Sequence, residues 1–174
     1  HQGYLKPDER LKLKWKNYLK IHFPENLKIG ISWGSQSNSI SADKMTTRIE
    51  AWSSILKTPK VNFINLQYGN ITNDLIWVKN KLGVEISEIS DIDLYNDLDS
   101  LAALISNLDL IISVNNINSN LAGATGTPLW EIVPKFWWLL LGQSYSPFYP
   151  RSQIFEPNDE GFKRILALLS SPIK

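Results

Sequence analysis

"LDLIISVNNINSNLAGATGTPLW", residues 108–130, decides the architecture. "LDLII" is a short apolar run and reads as a buried strand. The small-residue segment that follows reads as a short helix, stopped by Gly126 and Pro128. Between them stand four amides, Asn115, Asn116, Asn118 and Asn120, with no ionisable group. A strand running straight into a helix is the first part of a βαβ unit, so the neighbouring segments should repeat the alternation.

They do so in both directions. "LKIGISW" (27–33) reads as a strand followed by the loop "GSQSNS". Ile49, Trp52 and Leu56 have helical spacing and predict a helix over 47–57. "VNFINLQ" (61–67) is rich in β-formers and predicts a strand. A helix over 72–82 would carry Leu75, Val78 and Leu82 on one face, and "VEISEIS" (84–90) predicts a weaker strand. In "DLDSLAALISNLD" (97–109), Leu98, Leu101, Ile105 and Leu108 form a stripe, with Asp97 or Asp99 suited to the first turn. Strands over 109–114 and 129–133, a helix over 117–125, a last strand at "SQIFE" and a helix over 159–170 complete the order. The pattern predicts an α/β fold, a Rossmann-like three-layer sandwich with a mostly parallel sheet. Ligands then bind outside the carboxyl ends of the strands.

Composition bounds the function. The chain has 174 residues, for which one domain is the default, and 43% of them are hydrophobic. A formal net charge of +1 gives no reason to expect nucleic acid or a membrane surface as partner. No apolar run approaches the ~20 residues of a membrane span. The N-terminus "HQGYLKPDER" has no apolar core of a signal peptide and no initiator Met, so a fragment or processed chain is expected. The absence of Cys excludes disulfides and thiolate metal sites, and fits a cytoplasmic location. His1 and His22 give no metal signature, and neither a metal nor a cofactor is expected. No catalytic triad, P-loop or GxGxxG motif is present.

Residues 1–25 stand apart as a basic amphipathic segment. Leu11, Trp15, Tyr18 and Leu19 share a face, Lys6, Arg10, Lys12, Lys14, Lys16 and Lys20 supply charge, and Pro7 suits a first helical turn. Such a helix either lies on a membrane surface or packs on the domain with its Lys stems along the apolar surface. For the amides of 115–120 two readings also stand. Asn is a good N-cap and turn former, and a helix N-terminus after a strand is a ready anion site.

"SVNNINSNLAGATGTPLW" resembles "SVDTxxAHLAGALGxPxW" of bacterial family-9-type, heptosyltransferase-like glycosyltransferases, including the domains that often follow tetratricopeptide repeats. "KIGISWGS", "FINLQYG", "DLDSLAALISNLDLIISV" and "FWWLLLGQSYSPFYPRSQIFEP" resemble further motifs of that family in the same order, over about residues 28 to 157. The resemblance implies one half of a GT-B arrangement: a connecting helix from a missing upstream region (1–25) and a nucleotide-sugar-binding domain (26–174). It implies a UDP- or ADP-sugar donor and a missing N-terminal domain or repeats as partners. It also implies no activity for the chain alone. The alternative is a catalytically degenerate Rossmann-like module used for binding or assembly beside a repeat domain.

The resemblance also assigns candidate residues. Gly34 and Ser35 match the loop whose amides meet the donor phosphates. Lys44 or Arg48 falls where a phosphate-binding cation stands, unless either is an ordinary surface charge. Gln67 and Tyr68 would reach ribose or base, and Asn96 and Asp93 the nucleobase, or else serve as turn and cap residues. The family's Asp, Thr and His fall at Asn115, Asn116 and Asn120 in this chain. Both ionisable groups have become amides, which hydrogen-bond but transfer no proton. Losing a charged hydrogen bond costs about 1.5–3 kcal/mol. The aromatic residues Phe136, Trp137, Trp138, Tyr145, Phe148 and Tyr149 would either stack on a base or sugar or cover a surface. No residue is assigned as catalytic.

Overall fold

The computed structural model describes residues 3–35, 47–134, 140–149 and 151–171. The helices are α1 (Glu9–His22), α2 (Ser53–Leu56), α3 (Thr72–Leu82), α4 (Leu98–Ile105), α5 (Ile117–Thr125) and α6 (Asp159–Leu169), with a 3-10 turn at Ile49–Trp52. The strands are β1 (Leu27–Ser32), β2 (Val61–Asn65), β3 (Leu110–Val114), β4 (Leu129–Ile132) and β5 (Ser152–Phe155). They form one sheet in the order β2-β1-β3-β4-β5, and every neighbouring pair is parallel. The chain leaves β1 toward β2, then returns to the other side of β1 as β3. The reversal of direction between β1 and β3 is the topological switch point, where such sheets open a crevice.

Both faces of the sheet are covered, which is why the strands read as nearly continuous apolar runs. Ile29, Ile31, Phe63, Ile112, Trp130 and Phe155 point to one face, against Trp52 and Ile55, Val78 of α3, and Phe162 and Ile165 of α6. Ile64, Ile111 and Leu129 point to the other, against α4, Leu121 and Ala122 of α5, and Trp15 and Leu19 of α1. The apolar stripe of the basic segment is thus buried in the domain's second core, and Lys14 lies over the Trp15 ring at 4.5 Å. Asp8 caps α1, so Pro7 precedes the helix instead of opening it. Asp97 caps α4 by accepting from the Ser100 amide at 3.0 Å.

Three elements differ from the sequence expectation. Segment 84–90 makes only one bridge, Ile64 to Ser87, instead of a strand. The helix expected over 47–57 is a 3-10 turn followed by a single α-turn, while the Thr47 hydroxyl is held by the Trp33 carbonyl and accepts from Trp52 Nε1. The helical stripe expected from Leu98 to Leu108 ends at Ile105, and just beyond it Asn107 Nδ2 donates to Ala103 and to Lys12 of α1. α5 ends as expected, with Gly126 in the left-handed region at φ 78°.

Candidate functional site at the switch point

Asn116 ties the switch point together. It is the N-cap of α5 and accepts from the amides of Asn118 at 2.9 Å and Ser119 at 3.4 Å. The Ser119 hydroxyl in turn accepts from the Asn116 amide, completing a capping box. On its other side, Asn116 Nδ2 crosses from β3 to β1 and donates to Ser32 Oγ at 2.8 Å and to the Gly34 carbonyl at 3.0 Å. Gln67, arriving from β2, accepts from Ser32 Oγ at 3.0 Å and from the Gly34 amide at 2.8 Å, and donates to the Tyr68 carbonyl. Asn118 is fully buried and donates to the Leu66 carbonyl at 2.9 Å. Three loops from three strands are therefore laced by side-chain amides.

The other two amides of the cluster face a cavity of about 180 Å³ beside α5, with Glu131, Tyr4, Ser146 and Tyr149 among its walls. Asn115 Nδ2 donates to Glu131 Oε1 at 2.7 Å. The Tyr149 hydroxyl donates to Asn120 Oδ1 at 3.0 Å, and the Tyr149 ring lies where Gly123 has no Cβ. Any side chain at 123 would displace that ring.

Glu131 sits on β4 with only 3% of its surface exposed, and no cation pairs with it among the described residues. Burial pushes its carboxyl above the ordinary value of 4.5, partly opposed by hydrogen bonds from Asn115 and Ser119. Burial likewise pushes the Tyr149 phenol up to about 12, helped by a hydrogen bond with Tyr4 and by the charge on Glu131.

The folded state holds the Glu131 proton more tightly than the unfolded chain, so stability falls as pH rises from about 4.5 through the folded pKa. Glu131→Gln lacks this loss. Its melting temperature relative to the parent should climb with pH above about 4.5 and then level off. Parallel thermal melts of both proteins across acid to neutral pH measure it, and a constant difference would contradict the buried acid.

Two further depressions lie at the carboxyl ends of β1 and β2. One, of about 360 Å³, has Gly34, Ser35, Arg48, Gln67 and Tyr68 in its walls, with Asp74 accepting from Trp33 Nε1 at 2.7 Å. Arg48 is exposed there and forms no ion pair among the described residues. The second, of about 440 Å³, shares Gln67 and Tyr68 and adds Asp93 and Tyr95. The Tyr68 and Tyr95 rings meet edge to face at 5.9 Å.

The structure thus brings most of the sequence-derived candidates to one end of the sheet. It also separates their roles. Gln67 and Asn116 are nearly buried, and their side chains bond within the protein. The Gly34 amide donates to Gln67. Asn96 lies outside the depression walls and holds a turn, donating to Asp93 Oδ2 at 2.8 Å. That bond and two backbone amides keep the Asp93 carboxyl below the ordinary range. Lys44, Phe136, Trp137 and Trp138 lie outside the described residues. Sequence reasoning missed Glu131, Tyr4, Tyr95 and Ser146. For Glu131 the signal was a lone acid inside the apolar run "LWEIV". No group of three or more His, Cys, Asp or Glu able to hold a metal ion occurs among the described residues. None of their helices is long and apolar enough to cross a membrane.

No protein-family profile matches the chain. The chain is 37% identical over 159 residues to Protein FlbA of Caulobacter vibrioides, a match that covers 91% of this chain and 26% of that protein. It therefore spans about a quarter of the length of this relative. Among solved structures, it is similar to the glycosyl transferase family 9 protein from Veillonella parvula, with a TM-score of 0.65 at 12% identity, over 100% of this chain and 48% of that one. It is also similar to the ADP-heptose lps heptosyltransferase II of E. coli, with a TM-score of 0.57 at 13% identity, over 96% of this chain and 54% of that one. The chain has the Rossmann-like fold of one half of a family 9 glycosyltransferase.

Proposed function

We propose that the chain is the donor-binding half of a nucleotide-sugar glycosyltransferase, completed by an upstream domain or by repeats. The observation that carries this reading is the fold likeness, which takes in the whole chain and about half of a family 9 glycosyltransferase. The position of the depressions supports it, since they open at the carboxyl ends of β1 and β2, beside the switch point. In this reading the Arg48 guanidinium meets the pyrophosphate, with Ser35 at its side and Lys44 as a further candidate cation. The base lies against Tyr68 and Tyr95, whose rings offer a stacking surface. A cytoplasmic location and a UDP- or ADP-sugar donor accord with it.

One observation favours a second reading, a binding or assembly module without catalysis. The amides standing where the family has Asp and His carry no proton chemistry, and Asn116 bonds wholly within the protein.

Thermal-shift and calorimetric titrations with UDP, ADP, GDP and their sugars test the donor-half reading. One nucleoside diphosphate should raise the melting temperature, and Arg48→Ala should weaken that ligand about 10- to 150-fold, as expected for one charged hydrogen bond. No shift with any nucleotide would leave the assembly reading.

A further inference from the structure

The cavity beside α5 carries a polarity that the amides alone do not reveal. Asn115 gives its Nδ2 to the Glu131 carboxylate, so the amide is fixed with Oδ1 turned the other way, as an acceptor. Asn120 receives the Tyr149 hydroxyl on Oδ1, so its Nδ2 is left as a donor. The two amides thus differ in hydrogen-bonding sense, and both line a space of about 180 Å³. Glu131 adds a carboxyl group, Tyr149 an aromatic wall and Ser146 a hydroxyl-bearing one.

Each feature narrows the occupant. A phosphate accepts only, and would meet the Asn115 oxygen and the Glu131 carboxylate with no cation to offset them. A purely apolar group would give no partner to Asn115 Oδ1 or to Asn120 Nδ2. A hydroxyl both donates and accepts, so neighbouring hydroxyls on one ring satisfy an acceptor, a donor and a carboxyl group together. An aromatic wall suits the apolar face of such a ring.

We propose that this cavity is a sugar-hydroxyl subsite whose specificity is set by Glu131, through its carboxyl group and through the orientation it imposes on Asn115. The proposal rests on the donor-half reading only in taking the bound ring to be the sugar of the donor. The ligand class is a neutral, polyhydroxylated ring. Glu131 is a specificity-determining residue, and Tyr149 positions Asn120.

The test uses this chain, its Glu131→Gln and Tyr149→Phe variants, and methyl glycosides of neutral hexoses, with saturation-transfer NMR as readout. At least one hexoside should receive saturation on its ring protons. Glu131→Gln keeps one oxygen for Asn115 Nδ2 but puts an amide donor in place of the second carboxyl oxygen, and should weaken that hexoside about tenfold. Tyr149→Phe frees Asn120 Oδ1 and should change which hexoside is preferred. Thermal melts confirm that both variants are folded. Absence of saturation transfer to every hexoside, or equal binding by the parent and both variants, overturns the proposal. So does competition by methylammonium, which would make the cavity a cation site. Titration with UDP and ADP separates the two readings. Hexoside binding without nucleotide binding would sink the donor half and leave the subsite, and nucleotide binding without hexoside binding would do the reverse.

Discussion

Trp15→Ala is expected to destabilise the domain by about 3–5 kcal/mol, the cost of emptying a large aromatic from a packed core. Trp15 is fully buried between α1 and the second face of the sheet, in a cluster with Leu19, Leu101 and Leu104. Its indole N–H has no partner, so no hydrogen bond is lost and the cost is one of packing. Urea unfolding followed by far-ultraviolet circular dichroism measures the change. Lys16→Ala, on the exposed side of the same helix, should stay within about 0.5 kcal/mol. A Trp15→Ala cost below about 1 kcal/mol would mean that α1 is an attached strap and not part of the core.

Asn116→Ala should cost about 2–4 kcal/mol. Loss of an N-cap accounts for about 0.5–2 kcal/mol. The rest comes from the Gly34 carbonyl and the Ser32 hydroxyl, both left short of a donor in a nearly buried place. Asn116→Asp separates the two contributions. It keeps the capping oxygen but turns a second oxygen toward the Gly34 carbonyl, so it should recover the cap while remaining about 1–3 kcal/mol below the parent. Denaturant unfolding of the three proteins decides this. Equal stability of Asn116→Asp and the parent would show that the link from β3 to β1 carries nothing.

The sheet was legible in the sequence because β1 and β3 are covered on both faces and have to be apolar throughout. "LKIGISW" and "LDLII" therefore stand out against the charged segments beside them. Segment 84–90 was not, because Ile86 and Ile89 are buried while its pairing is limited to Ser87. Periodicity reports which residues turn inward and not how many backbone groups find a neighbour. The amides divide in the same way. The sequence locates four Asn at a helix start, but only geometry tells that Asn116 and Asn118 bond inward while Asn115 and Asn120 line a cavity. Glu131 was hidden for a related reason. Its partner Asn115 is sixteen residues away, in the turn that follows the adjoining strand, beyond the reach of any local pattern.

The single bridge of Ser87 has one more effect, on what the sheet can do to its surroundings. β2 is an edge strand, and an open edge invites strand addition by another chain. Ser87 closes the middle of that edge, donating to the Phe63 carbonyl and accepting from the Asn65 amide, both at 2.8 Å. The chain then turns away before a second ladder can form. At the opposite edge, β5 has four residues and is followed within two residues by Pro157. Neither margin offers a long, flat template for recruiting extended polypeptide, so a docking protein has the helical layers and the ends of the strands to approach. With one edge closed at its middle and the other only four residues long, the open approach to the strands is the end of the sheet where Asn115, Asn120 and Arg48 stand.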